Sequence, residues 1–275
     1  MEAAPLGPVM RRLLLAAAGL VFLAGVQLFL LSDHTETLFA WTVHPPLTAA
    51  FLGALYWAAG LLEWHAARSG TWAGARIAVP GVLAFTLLTN VPTWLNLDQY
   101  HLDSPAAWAW IGVYAVVPWI FLWALVAQRT HGFAAPTRQY PLPAVLRHLL
   151  GGAGVVFLVG GTALLASPDQ AGLGWPWDLS PQVGSYTRFS EPYMGCWGIG
   201  LGVVATHAWW EDDLVRLRPL WPAMIATALL CAVAALRYHA AVSWRHPSTE
   251  VMALGLCGLL GLGVWGELLT RRQRN

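Results

Sequence analysis

Residues 11–32 read RRLLLAAAGLVFLAGVQLFLLS, and residues 146–167 read LRHLLGGAGVVFLVGGTALLAS. Both segments are almost entirely apolar, and about 20 apolar residues let a helix cross the roughly 30 Å hydrocarbon core of a bilayer. They share four landmarks, each pair 135 positions apart: Arg12/Arg147, Gly19/Gly154, Gly25/Gly160 and Ser32/Ser167. The two segments therefore predict related membrane helices in the two halves of the chain.

The correspondence continues along the chain with a slowly growing offset. It is 136 at Trp41/Trp177 and Pro45/Pro181, 140 at Trp57/Trp197 and Gly60/Gly200, and 142 at Arg76/Arg218, Pro80/Pro222, Trp123/Trp265 and Arg129/Arg271. Small loop insertions in a duplicated unit produce such growth. We expect two tandem repeats, residues 1–134 and 135–275, joined by a proline-rich linker near 129–146.

The composition is that of a membrane protein. Hydrophobic residues make up 57% of the chain and charged residues 11%, whereas a soluble domain carries about 25% charged residues. The sequence predicts an all-α polytopic membrane protein with eight transmembrane helices, near 12–32, 46–66, 77–97, 106–128, 147–166, 188–208, 219–238 and 250–270. We read the first as a retained helix rather than a signal peptide, because it is long and has an internal counterpart.

Four helices per repeat return the chain to its starting side, so we expect the two units to be parallel. With the N-terminus inside, twelve of the fifteen arginines fall on the cytoplasmic side. This bias follows the positive-inside rule and places both termini in the cytoplasm. The absence of Lys among the basic residues and the bias towards Ala, Gly and Leu suggest a bacterial inner-membrane protein.

One motif, Trp, any residue, aliphatic, any residue, Pro, occurs at residues 41–45 and again at 177–181. Trp prefers the headgroup level of a bilayer, and Pro is favoured at the first position of a helix. We therefore expect an interfacial anchor followed by a helix start, and not a catalytic motif.

Several functional classes are disfavoured. A net charge of +1 gives no reason to expect nucleic acid as a partner. No ionisable residue lies near the middle of a predicted span, which argues against ion-coupled transport and haem binding. The three cysteines are read as apolar filler, and the deeper Trp57, Trp119 and Trp197 either line a cavity or pack.

The candidate ligand-binding residues gather at the outer ends of the predicted helices: Arg237, His44, His101, His239, Asp98 and Asp33. Arg237 could snorkel to the headgroups, pair with a carboxylate such as Asp98, or clamp an anionic ligand. The histidine spacing does not predict a metal site. The acidic run at 211–213 reads as a solvated helix end.

Three functions fit this pattern. The first is binding or transport of a lipid or small, mostly apolar molecule, with its polar end at the outer site. The second is a membrane enzyme that uses an outer histidine, with or without a metal. The third is a non-catalytic subunit or sensor that packs against a membrane protein partner. The sequence names no catalytic residue and no cofactor; the lipid bilayer is the one partner it predicts directly.

Overall fold

A computed structural model describes residues 3–167, 175–177 and 190–273. In this part of the chain the structure is helical and contains no β-strand beyond two isolated bridges. The helices are α1 (Pro8–Gly25), α2 (Thr35–Leu38), α3 (Pro46–Ala67), α4 (Trp72–Ala75), α5 (Val79–Leu95), α6 (Pro105–Gln128), α7 (Ala144–Ala166), α8 (Glu191–Glu211), α9 (Leu220–Arg237) and α10 (Pro247–Arg272).

Eight of these helices are long, and they lie where the sequence predicts eight apolar segments. Six are long and apolar enough to cross a membrane: α1 with its continuation to Leu30, α3, α6, α7, α9 and α10. The helix α5 is apolar but has only 17 residues, and α8 carries a glutamate at each end. The all-helical, multi-pass class is confirmed, and spans at α5 and α8 stay predictions.

The first helix continues from Gly25 into a π-helical turn over Val26–Leu30. In this turn Leu31 N donates to Val26 O at 3.3 Å, five residues back. Such turns disturb the regular ladder and often mark functional sites. Here the carbonyl of Phe29 accepts hydrogen bonds from side chains instead.

Helices pack both within each half of the chain and across the two halves. The neighbours α1 and α3 pack together, as do α7 and α8, and α9 and α10. Across the halves, α3 packs on α9 and α8 packs on α5. In the predicted repeat α3 is the counterpart of α8, and α5 is the counterpart of α9. The contact of α3 with α9 therefore corresponds to the contact of α8 with α5.

The turns at one end of the bundle share a bonding pattern. His101 N donates to Ala40 O at 2.9 Å, and Ser243 N donates to Pro176 O at 2.9 Å. These donors are 142 positions apart and the acceptors 136, which are the offsets of the sequence landmarks. We call this end, where α9 finishes at Arg237, the Arg237 end.

The opposite end repeats its bonds as well. Trp72 N donates to Ala4 O at 2.9 Å, and Leu214 N donates to Tyr140 O at 2.8 Å. Near these donors, Gly70 and Asp212 both have a left-handed backbone, with φ of 74° and 48°. We call this end, where α8 finishes at Glu211, the Glu211 end.

The two motif tryptophans are core residues, so the predicted interfacial anchors are wrong. Trp41 is 1% exposed and Trp177 is 2% exposed. The indole N–H of Trp41 donates to Ser190 Oγ at 3.3 Å, and that of Trp177 donates to Thr48 Oγ1 at 2.9 Å. Each bond joins the two halves, and it satisfies the polar tip of an otherwise apolar ring.

The helix start that the motif predicts can be compared with the structure for the first copy of the motif. The first copy starts a helix one residue later than predicted, because Pro45 caps α3 and Pro46 is its first residue. The helix start predicted at Pro181 lies outside the described residues.

A cluster of aromatic rings fills the core near the Arg237 end. Its members are Phe39, Trp41, Tyr56, Phe85, Tyr100, Trp110, Tyr114, Tyr193 and Trp197. Trp197 packs on Phe85 with 4.2 Å between ring centroids. Trp57 lies against Phe29 at 4.9 Å, and Trp119 is 64% exposed on the surface of α6. Of the two roles considered for the deeper tryptophans, Trp57 and Trp197 pack.

Candidate functional site

The candidate site is built around Arg237, the last residue of α9. Its Nη1 donates to Phe29 O at 2.7 Å, and its Nη2 donates to Asp33 Oδ2 at 3.0 Å. The guanidinium also lies over the ring of Tyr238, 4.8 Å from the centroid. A carboxylate partner was one of the predicted alternatives, but the partner is Asp33 and not Asp98. The short turn Ser32–His34, which follows the π-helical turn of α1, places Asp33 near the carbonyl of Phe29, and Arg237 contacts both.

Two hydroxyls complete the group. Tyr238 Oη donates to Asp33 Oδ2 at 2.8 Å, and it lies 2.6 Å from Ser32 Oγ. Burial raises the pKa of Tyr238 above its ordinary value, so its phenol keeps its proton and remains a donor at neutral pH. Ser32, Asp33, Arg237 and Tyr238 form what we call the Arg237 cluster. It joins the end of α1 in the first half to the end of α9 in the second.

The charged side chains of the Arg237 cluster are accessible to solvent. The side chains of Arg237 and Asp33 are 37% and 47% exposed. An ion pair this exposed contributes about 0–1 kcal/mol, so an incoming ligand could replace either partner at small cost. The cluster offers a planar fork of donors and one carboxylate, and within it no group is placed as a nucleophile.

The other four predicted residues do not join this cluster. His101 is half-buried between Thr42 Oγ1 at 3.0 Å and Phe39 O at 3.3 Å. Asp98 accepts from Gln99 Nε2 at 2.7 Å. His239 is exposed, with Nδ1 3.3 Å from the carbonyl of its own helix turn, and His44 is exposed before a cis proline.

Of the six predicted residues, Arg237 and Asp33 therefore make the one direct contact found in the part of the chain that the structure describes. In the same part of the chain no three His, Cys, Asp or Glu side chains gather closely enough to hold a metal ion. Sequence reasoning missed Ser32 and Tyr238. Ser32 was visible as a repeat landmark, but nothing local indicated that it meets a residue on α9.

A second polar group lies at the Glu211 end, and it overturns the prediction of a solvated acidic run. The side chain of Glu211 is fully buried and pairs with Arg76, with Arg216 Nη1 at 3.1 Å and with His207 Nε2 at 3.3 Å. We call these four residues the Glu211 cluster. Arg76 belongs to the first half and the others to the second, so the cluster also joins the halves.

The two aspartates that follow Glu211 bind backbone. Asp212 Oδ1 accepts from Leu142 N at 3.2 Å, and Asp213 Oδ2 accepts from Gln139 N at 2.9 Å. These donors lie in the linker between α6 and α7, which needs such acceptors because it has no regular structure. The acidic run therefore fixes the linker against the end of α8.

One acidic residue stands apart from both clusters. Glu63 lies on α3 and is 2% exposed. Its Oε2 is shielded from solvent without a hydrogen-bond partner. Glu63 lies towards the end of α3, and no pattern in the sequence indicates its burial.

Together, these features define an all-helical, multi-pass membrane protein with a polar cluster at each end of its helix bundle. Comparison of the chain with models of protein families, with curated proteins and with solved structures finds no match in any of the three.

Proposed function

We propose that this protein binds a lipid or other small amphipathic molecule, whose polar end contacts Arg237 and Asp33 at the outer face of the bacterial inner membrane. The observation that carries the proposal is the Arg237 cluster, a partly exposed pair of opposite charges held at the end of an apolar bundle. A zwitterionic headgroup matches it, with its anionic group on Arg237 and its cationic group on Asp33.

The surface of α9 supports an amphipathic ligand. Leu229, Val233 and Leu236 are exposed, and their spacing puts them on one face of the helix. That face runs towards Arg237, the last residue of α9. An acyl chain along it would place a headgroup beside the Arg237 cluster.

The proposal includes a chain of two parallel four-helix repeats, residues 1–134 and 135–275. The support is the recurrence of turn hydrogen bonds at the offsets of the sequence landmarks, at both ends of the bundle. A further pair extends it: Gly74 N donates to the Thr71 side chain, and Arg216 N donates to the Asp213 side chain. Those donors and acceptors are both 142 positions apart.

We further propose that all eight long helices span the membrane and that both termini are cytoplasmic. The helices α5 and α8 pack against each other across the halves, which gives part of each helix a protein environment instead of lipid. The arginine distribution supports the orientation, because the Glu211 end then faces the cytoplasm.

The test is lipid retention after purification. The protein would be extracted in mild detergent from cells and its bound lipids read by native mass spectrometry. We expect Arg237→Ala and Asp33→Asn to lose the lipid that the unaltered protein retains. Arg245→Ala is the matched control, because Arg245 is an exposed arginine in the loop that follows α9.

Equal retention by Arg237→Ala and the unaltered protein would refute the site. Circular dichroism and size-exclusion chromatography would show that each variant is folded before its bound lipids are compared. The native mass spectrum would also reveal a bound metal or a partner subunit, and so it tests the two alternatives, a membrane enzyme and a non-catalytic subunit.

A further inference from the structure

The isolated burial of Glu63 calls for an explanation. Its carboxyl makes no hydrogen bond or ion pair with any residue in the described ranges, and Oε2 is fully shielded. Glu63 lies four residues before the end of α3 at Ala67, about 6 Å along the helix axis. Burying an unpaired carboxylate costs much more free energy than burying the neutral acid.

Among the residues that the structure describes, no cation pairs with Glu63. The elements that pack on α3 are α1 with its π-helical turn, α9, and the turn Ser32–His34, with α4 beside the other end of α3. The turn carries Asp33 and His34 and lies at the Arg237 end. On α1 the charged residues are Arg11 and Arg12, both exposed. The only charged residue of α9 is Arg237, at the opposite end of the bundle. Arg76, which follows α4, pairs with Glu211.

The fold itself does not require an acid at this place. At the offset of 140 that relates Trp57 to Trp197 and Gly60 to Gly200, the counterpart of Glu63 is Val203. If the proposed repeat holds, the second unit forms this part of its helix with a half-buried apolar residue. A buried carboxyl in one unit alone is then unexplained by the helix packing of the repeat, and an ionisable residue buried in a membrane segment points to a function.

Buried hydroxyls lie between Glu63 and the Arg237 end. Tyr56, two turns earlier on α3, has its hydroxyl 2.7 Å from that of Tyr114. Further out, the hydroxyls of Tyr100 and Tyr193 lie 2.5 Å apart. Trp110 packs on both Tyr114 and Tyr193. These groups can exchange protons without carrying charge at rest.

We propose that the carboxyl of Glu63 is a proton-binding site buried within the membrane, whose proton exchanges when the packing around α3 opens. A metal ion needs several ligands, and within the described residues Glu63 belongs to no group of three ligating side chains. A proton needs only the one oxygen. This site is separate from the Arg237 cluster and does not depend on the ligand proposed there.

The experiment uses dicyclohexylcarbodiimide, an apolar reagent for protonated carboxyls. The carboxyl proton moves to one carbodiimide nitrogen, and the carboxylate oxygen bonds to the central carbon. The acyl group then migrates from oxygen to nitrogen, which gives a stable N-acylurea with no leaving group. Peptide mass spectrometry of the purified full-length protein would locate the adduct, and we expect it at Glu63.

Glu63→Gln should lose the adduct, and Glu267→Gln is the matched control, because Glu267 also lies near a helix end but pairs with Arg271. A water-soluble carbodiimide should label exposed acids and spare Glu63. If the apolar reagent leaves Glu63 unlabelled in the unaltered protein, the proposal is wrong. Locating the adduct in the unaltered protein needs no variant, so this measurement remains decisive even where Glu63→Gln does not fold.

Infrared spectroscopy gives a second, independent measurement. A neutral buried carboxyl shows a carbonyl stretch distinct from that of a carboxylate. We expect this band in the unaltered protein and in Glu267→Gln. Glu63→Gln should lose the band, and Glu63→Asp should keep it at a shifted frequency. A spectrum of the unaltered protein without the band would overturn the proposal, whatever the outcome of the lipid-retention test.

Discussion

The indole of Trp41 donates a hydrogen bond to the hydroxyl of Ser190 at 3.3 Å, although 149 positions separate the two residues. Trp177 makes the matching bond in the other direction, to Thr48 at 2.9 Å. The tryptophans that mark the proposed repeat in the sequence thus also join the two halves of the chain. An interface built this way needs both halves of the chain, which accounts for the burial of both rings.

Removing Trp41 should therefore weaken the whole bundle. Its ring stacks on Tyr193 at 4.7 Å and meets Trp110 edge-on at 4.7 Å. We expect Trp41→Ala to lower the free energy of unfolding by about 3–5 kcal/mol, measured by thermal unfolding in detergent. The control is Trp119→Ala, at a 64% exposed site, and similar losses for the two variants would contradict the assignment of Trp41 to the core.

The sequence predicted the helices well because each membrane segment carries its own signal of length and apolarity. It could not predict the depth of Trp41, since a tryptophan near a helix start is common both at the bilayer interface and in a core. Only its neighbours decide, and those that bury it are distant in the sequence: Trp110 in the same half of the chain, and Tyr193 and Ser190 in the other half.

The same limit applied to the charged residues. Glu211 reads as a solvated helix end until Arg76, which is 135 positions earlier, is placed beside it. Arg237 was expected to meet a carboxylate, but the choice of Asp33 over Asp98 depends on the short turn Ser32–His34, which no local pattern indicated. Contacts between distant segments were what the sequence left open.

Close packing of α7 on α8 gives a second prediction. A Cβ atom on Gly161 would lie 2.5 Å from Ile199 N, whereas on Gly160 it would meet nothing within 4 Å. We expect Gly161→Ala to destabilise the protein by about 1–3 kcal/mol through overpacking.

The neighbouring change Gly160→Ala serves as its control and should be neutral or stabilising by up to about 1 kcal/mol, because alanine favours helix. Both values come from thermal unfolding in detergent. The reverse order of stability would show that α7 and α8 are rotated from the packing described.

The Glu211 cluster gives a third prediction. Glu211→Gln leaves Arg76 and Arg216 facing each other without a buried counter-charge, and breaking such a pair costs about 3–5 kcal/mol. Glu267→Gln removes only an exposed pair with Arg271, worth under about 1 kcal/mol.

The measurement is the difference in unfolding temperature between these two glutamine variants and the unaltered protein. A small effect of Glu211→Gln, equal to that of Glu267→Gln, would mean that water reaches the cluster. Arg76→Ala should also be costly, since it opens the contact between the halves.

The fourth prediction concerns the last helix, α10, and with it the orientation of the chain. Arg245 lies before α10 and Gln273 follows it, and both are exposed. A cysteine is introduced at one position at a time in a Cys257→Ala background, because Cys257 is exposed whereas Cys196 and Cys231 are buried. If both termini are cytoplasmic, a membrane-impermeant maleimide should label Arg245→Cys in intact cells and Gln273→Cys only after the membrane is opened. The opposite pattern would invert the proposed topology, and labelling of both from one side would show that α10 does not span.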